Sequence, residues 1–323
     1  AWKRKGGLEK FHDKLIQGMR ERGYTQEFVD AIYNQIQGFA EYGFPESHAA
    51  SFALLAYVSA WLKCHQPAAF LAALLNSQPM GFYSASQLVQ DARRHGVEVR
   101  PVDVCTSHWE ATLEERTGKQ PAVRLGMNLV RHLTREAGWR IEEARAVRAF
   151  DNVRDLAQRA DLSTADLQAL AAANGLASLA GNRREALWQA ASDAPVKGLL
   201  KHALVDSHSI NLPAPTEAEE VMADYRTLSL TLGRHPLAFL RQHLLTQRFV
   251  PAETLQSFGQ GQFARACGIV TVRQRPATAK GTVFVTIEDE TGTINVIIWP
   301  ALVESQDRKS TRPELQSRLH LVC

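Results

Sequence analysis

The stretch FPESHAASFALLAYVSAWLKCHQP, residues 44–67, has the pattern of one long helix. Pro45 and Ser47 are residue types that favour the start of a helix. At about 100° per residue, its polar side chains fall within a sector of roughly 120°, and Tyr57 and Trp61 lie opposite. The polar sector consists of His48, Ser51, Ser59 and Lys63. The sequence therefore predicts an amphipathic helix, and the function depends on what its polar sector faces.

The two ends of this polar sector are far apart. His48 and Lys63 are 15 positions apart, which at ~1.5 Å per residue is about 22 Å along the helix axis. The two side chains therefore cannot hold the same phosphate group. From this stretch alone, a solvated stripe on a helix that packs through its other face is the more common arrangement.

Composition indicates a water-soluble protein of two or three packed domains. The chain has 323 residues, of which 45% are hydrophobic and 22% charged. No apolar run reaches the ~18 to 20 residues of a membrane span, and the first residues do not resemble a secretion signal, so we expect a cytoplasmic protein. Because the chain starts without Met and stops inside a predicted strand, we expect a fragment of a longer protein.

The four cysteines predict neither a zinc site nor a disulfide framework. They are well separated and form no CxxC pair, so we expect reduced and mostly buried thiols. They are Cys64, Cys105, Cys267 and Cys323.

Two stretches are rich in arginine. Residues 124–160 contain eight Arg against five acidic residues, and residues 263–280 contain three Arg and one Lys with no acidic residue. Guanidinium groups are well suited to binding phosphate, so both stretches are candidates for contact with nucleic acid. A solvated helix face is the simpler alternative for a run of charge.

The pattern of elements divides the chain into four predicted regions. Residues 1–104 and 105–195 are predicted to be mainly helical, with a helix at about 86–95 and a short strand where VEVRPVDV (97–104) alternates. Ser163 and Asp166 are expected to form a capping-box variant at the start of a helix. Residues 196–262 are predicted to be a connector with helices near 217–227 and 236–246. From 263 to 323 the pattern changes to short alternating strands. We therefore predict a mainly α fold followed by a small C-terminal β-barrel of the oligonucleotide-binding type, incomplete at its C-terminus.

The predicted barrel begins with three strands joined by short loops. The segment PALVESQDRKSTRPELQSR, residues 300–318, can supply the helix that such barrels place between strands three and four, and LHLVC begins strand four. A fifth strand would lie past residue 323. Glu288, Asp289 and Glu290 precede Thr291 and Gly292, which favours a hairpin turn over a metal site.

Several strings in this sequence resemble bacterial C-family DNA polymerases, and above all their error-prone second alpha subunit. The longest runs from EYGFPESHAASF to RPVDV (41–104), and RLGMNLVRHL (124–133), LSLTLGRHPL (228–237) and VTIEDETGTINVIIWP (285–300) belong to the same resemblance. It implies a C-terminal portion with the end of the polymerase fingers, a tandem helix-hairpin-helix region and an oligonucleotide-binding domain.

The resemblance implies roles for particular residues. The polar sector formed by His48, Ser51, Ser59 and Lys63 would face nucleotide and template. The first hairpin, RHLT (131–134), has no glycine where the family has one, so Arg131, His132 and Arg135 would contact phosphate through side chains; a purely structural hairpin is the alternative. A second hairpin would lie near DLSTADL (161–167). Single-stranded template would meet Arg265, Arg273, Arg275 and Lys280, with Phe284 or Trp299 stacking a base unless these aromatics lie in the core.

Catalysis is expected to reside elsewhere in the parent enzyme. Phosphoryl transfer by a polymerase needs carboxylates that hold two Mg²⁺ ions, and no DxD-like pair on a strand occurs in this chain. We therefore assign no catalytic or metal-ligating residue here, and place the Mg²⁺ ligands outside the chain.

The expected partners follow from the same resemblance. They are template-primer DNA and dNTP, a Y-family-like polymerase homologue and a RecA-like accessory protein. Residues 195–206 do not supply a clamp-binding peptide, so the sliding clamp would be reached indirectly, and no membrane is involved.

Two functions of different classes stay open. The first is part of an error-prone DNA-directed DNA polymerase that acts in translesion synthesis and damage-induced mutagenesis. The second is a stand-alone, non-enzymatic module that binds nucleic acid or serves as a scaffold.

Overall fold

A computed structural model of the chain describes residues 9–42, 46–80, 83–115, 120–192, 212–303, 305 and 321–322. The chain divides into two compact units, residues 1–70 and 71–323. The region boundaries predicted at 104, 195 and 262 stay predictions. Within the described residues, no helix is both long enough and apolar enough to cross a membrane.

The described residues of the first unit include three complete helices. They are α1 (Glu9–Arg20), α2 (Gln26–Tyr42) and α3 (Glu46–His65). The tight connection between α1 and α2 contains Gly23 with φ of 81°, a left-handed conformation that favours glycine. Val29 of α2 is fully buried. The long helix predicted from residues 44–67 is therefore confirmed as α3.

Local signals predict the next two helices well, of which the first includes the boundary at residue 70. Helix α4 is Pro67–Asn76, and α5 is Ala85–Arg94. Ser84 and Gln87 form a capping box at the start of α5, and Gly96, with φ of 80°, follows its end. The predicted helix from about 86 to 95 is confirmed.

A small sheet follows α5, and the sequence predicts only its first strand, within residues 97–104. Strands β1 (Val99–Arg100), β2 (Thr112–Glu114) and β3 (Ala122–Arg124) form it in the order β1-β3-β2. β1 runs parallel and β2 antiparallel to β3. The expectation that residues 105–195 are helical is thus wrong for this part. β2 and β3 are too short to show alternation by themselves, and Glu114 links the strands through ion pairs with Arg100 and Arg124.

Five short helices follow. They are α6 (Arg135–Val147), α7 (Val153–Arg159), α8 (Thr164–Ala172), α9 (Ala177–Ala180) and α10 (Arg183–Ser192). Thr134, Asn152 and Ser163 accept backbone N–H groups at the starts of α6, α7 and α8. The predicted capping box of Ser163 and Asp166 is confirmed.

The connector contains the helices predicted near 217–227 and 236–246. They are α11 (Glu217–Thr227), a 3₁₀ turn at Pro236–Phe239, and α12 (Arg241–Thr246), followed by α13 (Ala252–Leu255). Arg183, whose side chain is only 5% exposed, joins α10 to α11 through ion pairs with Glu220 at 2.8 Å and with Asp224. This buried guanidinium fixes the connector against the helical region.

The last region forms β4 (Arg265–Ala266), β5 (Ile269–Gln274), β6 (Val283–Glu288), β7 (Thr293–Ile298) and β8 (Leu321–Val322). β5, β6 and β7 make an antiparallel sheet, and β4 pairs antiparallel with β8. The side chains of Val283, Val285 and Ile287 pack with Val296 and Val303. The three predicted strands and the start of the fourth are confirmed, whereas most of the helix predicted at 300–318 lies outside the described residues.

The cysteines differ in part from the expectation. Cys64 is exposed, while Cys105 and Cys267 are half-buried, and all three are free thiols. The prediction of mostly buried side chains is therefore wrong for these three. Partial burial still raises the pKa of the Cys105 thiol to about 11, which keeps it protonated near neutral pH.

Gly138 allows α6 to approach Trp109 closely. A Cβ at this position would lie 2.4 Å from Cε3 of the Trp109 ring. We expect Gly138→Ala to lower the free energy of unfolding by about 1–3 kcal/mol because the methyl group overpacks the interface. Chemical denaturation measures this effect.

Gly18 in α1 provides the matched control. A Cβ there meets nothing within 4 Å, so Gly18→Ala should leave stability unchanged or raise it by up to ~1 kcal/mol through helix propensity. Equal effects of the two substitutions would contradict the packing argument.

Candidate nucleic-acid interface

Helix α3 carries the predicted nucleotide-facing residues on an exposed surface. His48, Ser51, Ser59 and Lys63 are all exposed, as predicted for a polar sector. The large apolar side chains of α3, including Phe52, Tyr57 and Trp61, are exposed as well. Packing of the opposite sector, which the sequence predicts, is thus not formed within the described residues.

The first hairpin joins a 3₁₀ turn at Met127–Leu129 to α6. His132 has φ of 68°, a left-handed conformation that favours glycine, in a hairpin that contains no glycine. Leu133 is buried beneath the hairpin, and Thr134 accepts the N–H of Ala137 at 3.2 Å. The backbone therefore makes the glycine-type turn without glycine, at some cost in strain.

The second hairpin repeats this construction between α7 and α8. Asp161 has φ of 46°, Leu162 is buried, and Ser163 caps the next helix. Both hairpins thus follow one pattern, in which a left-handed residue precedes a buried leucine and a hydroxyl cap. The chain directs the starts of two helices toward solvent, and helix starts offer backbone N–H groups to anions.

Arg131 and Arg135 both make contacts within the protein. The Arg131 guanidinium donates hydrogen bonds to the backbone oxygen of Arg226 at 3.2 Å and to Oγ of Ser229 at 2.7 Å. Arg135 lies over the Trp139 ring at 4.6 Å. Arg131 therefore ties the hairpin to the end of α11, and Arg135 covers an aromatic ring.

Most other arginines of the 124–160 stretch bind backbone oxygens of neighbouring segments. Arg140 donates to Ala160 at 2.9 Å, and Arg159 donates to Arg148 at 2.8 Å and to Ala144. These acceptors lie at the carboxyl ends of α7 and α6, where the last carbonyl groups lack helical partners.

Arg145 is a half-buried member of the group. Its guanidinium donates to the backbone oxygens of Val104 at 2.6 Å and Ser107 at 2.8 Å. Burial lowers its pKa from the ordinary arginine value, although the nearby Glu142 acts in the opposite direction. Sequence reasoning missed this structural role because charge counting does not show which carbonyl groups a guanidinium will reach.

The outer face of the β5-β6-β7 sheet carries aromatic side chains. Phe284 is 38% exposed and pairs across the strands with Ile297, and Trp299 is 66% exposed just after β7. The alternative that these aromatics lie in the core is therefore wrong. Arg275 and Lys280 lie exposed in the loop that joins β5 to β6.

The basic residues of the last region do not form one cluster. Arg265 lies on β4, whereas Arg275 follows the other end of β5. A six-residue strand is about 20 Å long. Arg273 is exposed near that far end, so the structure brings Arg273, Arg275 and Lys280 to one end of the sheet and leaves Arg265 at the other.

The acidic residues after β6 form a turn, as predicted. Asp289 accepts hydrogen bonds from the N–H groups of Thr291 at 2.8 Å and Gly292 at 3.0 Å. Glu290 pairs with Arg241, and the hydrogen bond from that guanidinium lowers the pKa of the Glu290 carboxyl group. Among the described residues, no group of three or more His, Cys, Asp or Glu side chains is arranged to hold a metal ion.

Comparison with known proteins finds matches for the hairpin region and for nearly the whole chain. Residues 96–186 match the family described as a helix-hairpin-helix motif. The chain is 58% identical over 98% of its length to the error-prone DNA polymerase of Burkholderia pseudomallei, and spans 30% of that protein. It is 58% identical to that of Bordetella parapertussis over 96% of its length (30% of that protein), and 52% identical to that of Methylococcus capsulatus over 98% (32%).

His132 provides a direct test of the hairpin backbone. We expect His132→Gly to raise the free energy of unfolding by about 1 kcal/mol, because glycine adopts positive φ without the strain of a Cβ. His132→Ala is the control, since it removes the imidazole ring but keeps the Cβ. Denaturation curves in which the Gly and Ala variants have equal stability would contradict a strained hairpin.

Proposed function

As a homologue of the bacterial error-prone DNA polymerases along nearly its whole length, this chain is, we propose, the C-terminal portion of a C-family DNA polymerase that acts in translesion synthesis and damage-induced mutagenesis. The identity of 58% over 98% of the chain is the observation that carries the proposal. The chain spans about 30% of the length of the relatives, so the activity belongs to the longer parent enzyme.

In the parent enzyme, each part of this chain would contact a different part of the substrate. The hairpins before α6 and α8 would hold duplex DNA through backbone N–H groups at helix starts. Support comes from the match of residues 96–186 to the helix-hairpin-helix family and from the exposed starts of both helices. His132, which lies at the tip of the first hairpin, would lie beside the phosphates.

Helix α3 would face the nucleotide and template through His48, Ser51, Ser59 and Lys63. Their exposure on one helix supports this role. Since His48 and Lys63 are about 22 Å apart along the axis, they would serve different groups of the substrate. The exposed apolar side chains of α3 would then face other protein segments of the parent enzyme.

The strand region would be an oligonucleotide-binding domain that meets single-stranded template. The sheet of β5, β6 and β7 and the β4-β8 pair support such a barrel. Phe284 and Trp299 would stack bases, while Arg273, Arg275 and Lys280 would attract the phosphates.

The chemical step would be nucleotidyl transfer assisted by Mg²⁺ bound to carboxylates outside this chain. The residues described here would bind and orient DNA. A Y-family-like polymerase homologue and a RecA-like accessory protein would be partners, and the sliding clamp would be reached through them.

The alternative is a stand-alone module, without enzymatic activity, that binds nucleic acid or serves as a scaffold. A helix-hairpin-helix region and a strand domain are compatible with it. The relatives favour the polymerase, since the similarity includes α3 and the residues around it, which a simple binding module does not need.

Single-stranded DNA binding by the purified chain tests the proposed substrate contacts. We expect affinity to fall steeply with salt, and Arg275→Ala and Lys280→Ala each to lower the slope of log K against log salt by about 0.7. Trp299→Ala should weaken binding by about 1–3 kcal/mol through loss of stacking. Fluorescence anisotropy over a salt series measures both effects.

The control for lost aromatic surface is Trp188→Ala, which removes an exposed tryptophan from α10, outside the strand region. This variant should bind single-stranded DNA with the same affinity as the unsubstituted chain. Binding that does not depend on salt, or that all these variants leave unchanged, would refute the proposed role of the strand region.

A further inference from the structure

A cleft lies between the end of α12 and the start of β4. It has a volume of about 600 Å³, and its lining includes the aromatic side chains of Phe258 and Phe263 and the guanidinium groups of Arg248 and Arg265. Neither phenylalanine nor Arg248 belongs to the interface described above. Of these residues only Arg265 has a predicted role, and the cleft adds aromatic surface and a second cation, Arg248, to it.

The backbone on both sides of this cleft is well fixed. Val250 donates its N–H to the backbone oxygen of Arg265 at 2.8 Å, which ties the segment after α12 to β4. Phe249 is buried next to it and donates its N–H to Leu244 at 2.9 Å. Arg248 and Arg265 are thus held on the two sides of one cleft.

Arg248 occupies a position that would favour glycine. It follows α12 with φ of 63°, in the left-handed region that is unfavourable for a residue with a Cβ. Its side chain is exposed and lines the cleft. Strain kept at such a position is a reason to look for a function of the side chain.

Both guanidinium groups are available for a ligand. Within the described part of the chain, the side chains of Arg248 and Arg265 make no hydrogen bond or ion pair, in contrast to Arg140, Arg145 and Arg159. The described lining of the cleft includes no Asp or Glu. An anionic ligand would therefore meet two cations without repulsion.

The aromatic groups favour a ligand with flat rings. Phe263 is 85% exposed at the rim, and Phe258 is half-buried beside it. Aromatic faces next to guanidinium groups, in a groove without acidic residues, are the combination by which proteins bind single-stranded nucleic acid.

We propose that this cleft binds single-stranded DNA, with a base stacked on Phe263 and phosphates at Arg248 and Arg265. The inference rests on the proposed function, because it adds a second contact for the single-stranded template. It is separate from the outer sheet face, since Arg265 and Arg275 lie at opposite ends of β5, which is about 20 Å long. The bound DNA would therefore pass both ends of β5.

The test measures binding of the full 323-residue chain to an oligo-dT of about 16 nucleotides, the upper site size of such domains. We expect Phe263→Ala to weaken binding about tenfold through loss of stacking. Arg248→Gly and Arg265→Gln should each weaken it about fivefold and lower the salt slope by about 0.7.

Arg248→Gly excludes misfolding as the cause of weaker binding, because it also relieves the left-handed strain and should not destabilise the fold. Arg22→Gln is the matched control for charge, since Arg22 is exposed in the turn after α1. It should leave oligo-dT affinity and the salt slope unchanged.

The outcomes separate this inference from the proposed function. If the variants at Phe263, Arg248 and Arg265 bind oligo-dT as tightly as the unsubstituted chain while Trp299→Ala binds it more weakly, the inference is overturned and the proposed function stays intact. If the unsubstituted chain does not bind oligo-dT, both the inference and the proposed function of the strand region are overturned. Polyglutamate that competes as well as oligo-dT at equal charge, with affinity unaffected by Phe263→Ala, would identify the cleft as a site for acidic peptide and overturn the inference.

Discussion

Hydrogen bonds from buried and half-buried guanidinium groups to the ends of short helices hold the helical region together. Arg159 donates to the end of α6, Arg140 to the end of α7, and Arg183 to the backbone oxygen of Ala172 at 2.9 Å at the end of α8. Helices of 7 to 13 residues are marginal alone and depend on tertiary contacts. Their last carbonyl groups would otherwise be left without partners, at a cost of about 1–3 kcal/mol each when buried.

The two ends of these helices therefore have different surroundings. The carboxyl ends of α6, α7 and α8 are closed by side chains, whereas the starts of α6 and α8 follow exposed left-handed residues, His132 and Asp161. Phosphate would then meet backbone N–H groups at the hairpins. The side-chain charge proposed to meet DNA includes Arg248 and Arg265, at the entrance to the strand region.

Local signals in the sequence predicted many of the elements. The capping box at Ser163, the bounds of α11 and the three strands β5 to β7 follow from patterns within a few residues. Even the exposure of Phe284 is visible in the alternation of VFVTIE, residues 283–288, where Val283, Val285 and Ile287 face the core.

Long-range contacts could not be predicted in this way. The sheet of β1 to β3 joins segments more than 20 residues apart, such as Val99 and Val123. The alternation of residues 97–104 predicts its first strand, whereas β2 and β3 are too short to show a pattern. The arginines of residues 124–160 look like a phosphate-binding run until their carbonyl partners are known. For α3, the sequence predicts the helix and its polar sector, but not what covers the apolar sector, which the described residues leave exposed.

The claim that the arginines of residues 124–160 stabilise helices rather than bind DNA can be tested with Arg159→Gln and duplex DNA. The account predicts that the free energy of unfolding falls by about 2 kcal/mol, because carbonyl groups at the end of α6 lose their donor. It also predicts that the slope of log K against log salt for the duplex is unchanged. A slope that decreases by about 0.9, which is one phosphate contact, with unchanged stability would contradict it.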